Sequence, residues 1–232
     1  MEKHLSIALD GPSGAGKSSL AKRVAAGFHL VYVDTGAIYR TVALACLRAS
    51  IEPKQEVAVA GLLPDLAIEI RYDESGMQRM LLNGEDVSEA IRMPEVSIAA
   101  SDVASLPACR AFLLEMQRSF AEKYDVILDG RDIGTVVLPN AECKIFLTAS
   151  ASARARRRLL ELQQKGVKTR YEEVLKDIEY RDYQDTHRAV AALKQAEDAV
   201  LLDTSELDFE ESYRALCRLI EEKTGRKADD CA

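Results

Sequence analysis

No apolar run in this 232-residue chain approaches the roughly 18 residues that a membrane-spanning helix requires, so no membrane partner is expected. Met1-Glu2-Lys3-His4 leads straight into a strand-like run and leaves no room for a signal peptide. Cysteine is sparse. Cys46, Cys109, Cys143, Cys217 and Cys231 are scattered, odd in number and form no Cys-x-x-Cys pair. That pattern argues against a metal site or a disulfide framework and for reduced thiols in a cytoplasmic protein. Positive charge is also short: 31 Lys and Arg stand against 38 Asp and Glu, a net charge of -7 that argues against a nucleic-acid polymer as partner. Internal repeats and low-complexity tracts are absent.

What is present is an ordinary globular balance, 47% hydrophobic and 30% charged, sufficient to bury one substantial core. Within the acidic chain, seven arginines gather between residues 154 and 188: Arg154, Arg156, Arg157, Arg158, Arg170, Arg181 and Arg188. Such a concentration suits one anionic ligand. A solvated helix face is the competing reading, and charge count alone favours it.

Hydrophobic periodicity gives the organisation. Leu5–Leu9 reads as a buried strand, Ser18–Phe28 as a helix, Leu30–Val33 as a strand and Ile38–Ala49 as a helix. This βαβα beginning predicts an α/β fold with a parallel sheet flanked by helices. Val126–Leu128, Lys144–Thr148 and Val200–Leu202 are further core strands, and Phe209–Lys223 is an amphipathic helix. Residues 64–93 break the rhythm. Ala67–Tyr72 and Gln78–Asn83, separated by Asp73-Glu74-Ser75-Gly76 and followed by Asn83-Gly84, predict a small antiparallel β insertion. Helices follow from about Pro94 and from Pro107 to Lys123. Residues 151–187 read as two charged helices joined near Gly166. In the first, Ala155, Leu159 and Leu162 form an apolar stripe, with Arg154, Arg158, Glu161 and Lys165 on another face.

Gly11-Pro12-Ser13-Gly14-Ala15-Gly16-Lys17-Ser18, continuing into Ser19, matches the phosphate-loop pattern G-x-x-x-x-G-K-[ST] in full, between a strand and a helix. The glycines let successive backbone N–H groups turn toward phosphate oxygens, and the helix that follows adds its positive end. Lys17 suits the β- and γ-phosphates, and the Ser18 hydroxyl suits Mg²⁺. Asp129, at the end of an apolar strand, is a candidate to hold the metal through water, with Asp34 as its competitor. No Asn-Lys-x-Asp run is present to read guanine, which argues against a GTPase. A short chain with an arginine-rich helical segment favours a small kinase whose lid excludes water.

Asp34-Thr-Gly-Ala-Ile-Tyr-Arg40, Asp129-Gly-Arg-Asp132 and Arg181–Val190 (RDYQDTHRAV), together with the phosphate loop, resemble the bacterial-type cytidylate kinases over essentially the whole chain. The resemblance implies a P-loop nucleoside monophosphate kinase fold and a single domain over residues 1–232. Its parts would be a core, a monophosphate-binding region at about 35–105 that includes the β insertion, and a lid at about 151–188. It implies transfer of phosphate from ATP to CMP or dCMP with Mg²⁺, by a monomer. By position, Thr35, Arg40 and Arg131 match residues that approach the acceptor phosphate. Ser101, Arg110 and Asp132 match those that read cytosine, and Arg181, Asp185 and Arg188 those that handle the sugar and its phosphate. Lys17, Arg131, Arg181 and Arg188 are the groups expected to act on the moving phosphoryl.

The chemistry of the residues agrees. Asp132 can accept from the cytosine amino group while Arg110 and Ser101 donate to the ring acceptors, a match that uracil would break at a cost of about 1–3 kcal/mol. Arg181, Asp185 and Arg188 fall on one helix face. Arg157 and Arg158 are the lid residues assigned to ATP, against an Arg158–Glu161 pair within the helix. Alternatives are a UMP, AMP or other small-molecule kinase, or a nucleotide-binding regulator without turnover. The stretch Ala191-Ala192-Leu193-Lys194-Gln195 lacks prolines familiar in the family, which bears on hinge stiffness.

Overall fold

The structure is a computed structural model and describes residues 4–164 and 166–229. The expectations placed on Met1–Lys3, Lys165 and Cys231 lie outside those residues. The chain divides into two compact units, one made by residues up to Tyr32 together with those from Ala121 onward, the other by Val33–Phe120.

The first unit is built on a parallel sheet. Its strands are β1 (Ser6–Asp10), β2 (Val31–Asp34), which carries the chain into the second unit, β6 (Val126–Gly130), β7 (Cys143–Thr148) and β8 (Val200–Asp203), in the order β2-β6-β1-β7-β8. All five residues of β1 are buried, as are all five of β6, as expected of strands covered on both faces. β1 runs parallel to β6 from Ser6↔Val126 to Asp10↔Gly130 and to β7 from Ile7↔Cys143 to Asp10↔Phe146. Asp10 and the phosphate loop therefore leave the sheet beside the segment 129–132.

One face of this sheet is covered by α1 (Lys17–Gly27) and α8 (Phe209–Thr224). Leu20, Ala21 and Val24 join Tyr213, Leu216, Cys217 and Ile220 over Ile7, Leu9 and Ile145. The start of α8 is fixed by a capping box, in which Asp208 accepts from the Glu211 N–H and Glu211 from the Asp208 N–H. The helices α6 (Ala151–Gln164) and α7 (Tyr171–His187) share a small apolar cluster. Ala155, Leu159 and Leu162 meet Tyr171, Val174, Leu175 and Ile178 there, so the predicted stripe is the seam of this pair. Arg154, expected on a charged face apart from that stripe, is instead buried, because its guanidinium is held by Asp182 of α7 and by the Ser13 and Ala149 carbonyls.

The second unit holds α2 (Thr35–Arg48), α3 (Glu56–Leu62), the antiparallel strands β3 (Ile68–Tyr72), β4 (Gln78–Leu82) and β5 (Glu85–Asp86), then α4 (Pro94–Val103) and most of α5 (Pro107–Lys123). The β3–β4 turn is tied by Asp73, whose carboxylate accepts from the Ser75 and Met77 N–H groups. Asn83-Gly84, both at positive φ, turns β4 into β5, as this dipeptide does in tight hairpins. Helix α2 starts at Thr35, three residues before the periodicity predicts. Its cap is Asp34, whose side chain accepts from the Ala37 N–H at 2.9 Å and brings Thr35 and Gly36 into the first turn.

Among the described residues no single helix is long and apolar enough to cross a membrane. Cys46, Cys109 and Cys143 are buried free thiols, as expected.

Candidate functional site

The loop between β1 and α1 closes on its own lysine. Gly16, at φ 90, precedes the first turn of α1, and Lys17 turns back so that its ammonium donates to the carbonyls of Gly11 (2.8 Å) and Pro12 (2.9 Å). The side chain is buried. Burial and the neighbouring Arg131 bring its pKa down to about 7, against the opposing pull of Asp129, Asp185 and Asp10. One position further on, the Ser18 hydroxyl donates to Asp129 at 2.7 Å, and the Tyr32 hydroxyl reaches the same carboxylate oxygen at 3.2 Å. The structure thus brings Ser18 and Asp129 together. Asp34, the competing metal candidate, caps α2 and pairs with Arg40 at 2.8 Å.

The segment after β6 supplies the next group of side chains. Arg131 is partly buried and its Nε donates to Asp185 at 2.6 Å. Burial alone would lower the arginine and raise the aspartate. Their mutual attraction outweighs it, so Arg131 is held more firmly protonated and the Asp185 carboxyl below its ordinary range. Arg188 lies 3.8 Å from Asp132 and donates from Nε to the Ala191 carbonyl at 2.7 Å. Arg181 has its pKa lowered by burial and by the nearby charge of Arg158. Lys17, Arg131, Asp132, Arg181, Asp185 and Arg188, spread over 172 residue numbers of sequence, therefore form one connected charged cluster with Arg158 at its margin. Arg158 pairs with Glu161 at 2.9 Å, the alternative left open by the sequence. Arg157 differs from expectation: its guanidinium donates to the Thr204 hydroxyl and to the carbonyls of Thr204 and Leu207, which fastens α6 to the chain following β8.

The second unit arranges the remaining predicted residues. Thr35 is buried at the start of α2, and Arg40 one turn later folds back on Asp34. The Arg40 Nε–H is buried and meets no acceptor among the described residues. Arg110, at the start of α5, is buried, lies 5.7 Å over the Tyr39 ring and donates to the Ala104 carbonyl at 3.3 Å. Ser101 sits half-buried on α4. The Tyr39 ring is thus the platform on which Arg110 rests. Gln78 of β4 exchanges bonds with the backbone of Asp34 at 2.8 and 3.3 Å and anchors the β insertion to that cap.

Asp10, which follows the strand read over Leu5–Leu9, is a site residue that no motif announced. Its buried carboxylate accepts from the Ile133 and Gly134 N–H groups, both at 2.8 Å, and so holds the start of a π-helical turn, Ile133–Val137. That turn begins directly after Asp132. Burial raises the Asp10 carboxyl from 3.8 to about 6, with the Gly134 and Ile133 N–H groups pulling the other way. A folded-state pKa above the unfolded one means stability that is complete below about pH 3.8 and lost as pH rises through about 6. Urea unfolding should therefore show the wild type losing about 1 kcal/mol more than Asp10→Asn between roughly pH 5 and pH 7.5. Parallel pH profiles for the two proteins would show that Asp10 does not titrate in this window.

A parallel sheet, a phosphate loop with its lysine buried at the end of the central strand, and a hydroxyl–carboxylate pair beneath it define an α/β phosphate-binding protein of the P-loop class. Residues 7–222 match the family model described as Cytidylate kinase. The chain belongs to the cytidylate kinase family. It is 48% identical over 223 residues to a cytidylate kinase of Desulfitobacterium hafniense, covering 96% of this chain and 95% of that one. With the cytidylate kinase of Syntrophotalea carbinolica it shares 45% identity, over 96% and 94% of the two chains, and with that of Caldicellulosiruptor bescii 46%, over 94% and 96%. A solved shikimate kinase from Bacteroides thetaiotaomicron aligns at a TM-score of 0.47 and 16% identity over 94% of this chain and 98% of that one.

Proposed function

We propose that the protein transfers the γ-phosphoryl group of ATP to CMP or dCMP. The observation that carries this reading is the gathering of two cations at the phosphate loop, the buried Lys17 ammonium held by the loop's own Gly11 and Pro12 carbonyls and the partly buried Arg131 guanidinium held by Asp185, whose like charges repel. A bound polyphosphate relieves that repulsion and gives both groups a use. Membership of the family directs the acceptor to a cytidine monophosphate.

In this reading the loop from Gly11 to Ser19 wraps the ATP phosphates and Lys17 leaves its two loop carbonyls for the β- and γ-oxygens. Arg131, Arg181 and Arg188 balance charge on the moving group, which such a loose transition state requires. The Ser18 hydroxyl and the Asp129 carboxylate are hard oxygen donors of the kind Mg²⁺ takes alongside waters and phosphate oxygens. When bound, the metal would draw off charge between the β- and γ-phosphates. Thr35 and Arg40, whose Nε–H is an available donor, receive the acceptor phosphate. Ser101, Arg110 and Asp132 read the base, and Asp185 receives the ribose. The acceptor oxygen is already anionic at neutral pH, since its second pKa is about 6, so no general base is needed.

Residues of about 35–105 act as the monophosphate-binding region and those of about 151–188 as the lid, within one domain and a monomer of the cytoplasm. Arg158 is the lid residue proposed for ATP. Arg157 can join it only by releasing Thr204 and Leu207.

A coupled ADP-release assay with ATP, Mg²⁺ and one acceptor at a time tests the proposal. CMP or dCMP should be turned over far faster than UMP, AMP, GMP or shikimate. Turnover led by another acceptor would keep the kinase and remove the base-reading set, and no turnover at all would favour a regulator.

A further inference from the structure

The buried arginine of α6 has a place in the phosphate loop that its sequence position does not suggest. The Arg154 side chain is 5% exposed and all three nitrogens of its guanidinium donate hydrogen bonds. Nε donates to the Ala149 carbonyl at 2.8 Å, which fixes the head close to its own helix start. Nη1 and Nη2 grip the two carboxylate oxygens of Asp182 on α7 at 2.9 and 2.5 Å, a planar fork that only arginine can form. Nη1 also donates to the carbonyl of Ser13, at the crest of the phosphate loop, at 2.9 Å.

The peptide joining Ser13 to Gly14 is trans and planar, so its C=O and N–H point in opposite directions. A guanidinium that holds the Ser13 oxygen from one side therefore turns the Gly14 N–H to the other. The backbone of Gly14 itself lies against Arg154, close enough that a side chain built there would meet the arginine Cβ at 3.5 Å. Lys17 fixes the preceding two carbonyls of the loop in the same manner.

We infer that Arg154, held in place by Asp182, is a positioning residue that aims the Gly14 N–H at the phosphates of ATP. The inference rests on the phosphate-loop reading above. It makes the aim of one loop amide depend on a carboxylate of α7 that lies next to Arg181 in sequence and one turn before Asp185. A phosphate that gains the Gly14 N–H thus acts on an element bearing two of the groups proposed for the acceptor.

The test uses the full-length protein and two variants, Arg154→Lys, which keeps the charge and loses the fork, and Asp182→Asn, which keeps the shape and weakens the grip. Binding of ATP and of CMP is measured separately by calorimetry, melting temperature is followed in parallel, and the Gly14 amide is observed by ¹H–¹⁵N NMR. The expected result is an ATP dissociation constant raised about tenfold in each variant, the size of one charge-assisted hydrogen bond. CMP binding should stay within roughly twofold of the wild type, and the Gly14 amide resonance should shift before any nucleotide is added. Unchanged ATP affinity with an unmoved Gly14 resonance would overturn the inference. So would an equal loss of ATP and CMP affinity accompanied by a lower melting temperature, which is the signature of a purely structural pair. A wild type that binds no ATP would overturn the phosphate-loop reading instead.

Discussion

Alanine at position 131 should lower turnover with CMP about a thousandfold while changing ATP affinity by no more than roughly threefold. The two halves of this result have separate causes. Arg131 is a partly buried guanidinium whose charge acts on the phosphate-loop lysine, and in the proposed reaction it meets charge that develops only as the phosphoryl group moves. Removing such a group costs rate rather than ground-state binding. ATP affinity is protected because Arg131 is one of the two causes, after burial, that depress the Lys17 pKa to about 7. Without it Lys17 is more completely charged at neutral pH and grips polyphosphate at least as well. The variant also leaves Asp185 with its principal partner gone, and breaking a largely buried pair typically costs about 3–5 kcal/mol. Stability must therefore be followed beside activity, and the double change Arg131→Ala with Asp185→Asn should recover part of the melting temperature but not the rate. Surviving CMP turnover with lost ATP affinity would show that Arg131 serves the donor and that the acceptor assignment is wrong.

The strands and helices were readable where a buried apolar run or a helical stripe bounded by turn residues set them. β1, β6, β7 and α8 fall within a residue or two of their predicted ends, because those segments have one burial pattern and one punctuation. Short elements whose existence depends on neighbours were not readable. β5 is two residues long and exists only as the third edge of β3–β4, and α3 buries one side chain, Val59. The π-helical turn Ile133–Val137 has no sequence mark of its own, since it is dictated by a carboxylate 123 positions away, Asp10. The same division applies to the site. The phosphate loop is local, so eight consecutive residues announced it. The family resemblance indicated Arg131, Asp132, Asp185 and Arg188, and the structure brings all four into one charged cluster. Arg154 was missed because charge patterning assigns an arginine in an arginine-rich helix to solvent. The balancing Asp182 is 28 residues away, and nothing local says that the pair is buried.

Replacing Gly11 by alanine should be the most disruptive single-methyl change in the first unit. A Cβ at this position would stand 1.9 Å from the carbonyl oxygen of Leu147, and the residue's φ of +153 is one that L side chains rarely adopt. The obstacle cannot step aside. Leu147 belongs to β7, whose pairing with β1 through Leu9↔Ile145 and Asp10↔Phe146 brings that strand against the loop. Either the β1–β7 pairing slips or the loop lifts, and both outcomes withdraw the Gly11 carbonyl that Lys17 grips. A loss of at least about 3 kcal/mol in urea unfolding is expected, together with loss of measurable ATP binding. Gly76→Ala is the control, because Gly76 also has positive φ, at +76, yet a Cβ there meets nothing within 4 Å. It should cost only the left-handed backbone penalty of about 1 kcal/mol and leave turnover intact. Similar losses in the two variants would mean that the backbone conformation alone sets the cost. A loss confined to Gly11→Ala would assign it to the closeness with which β7 backs the phosphate loop.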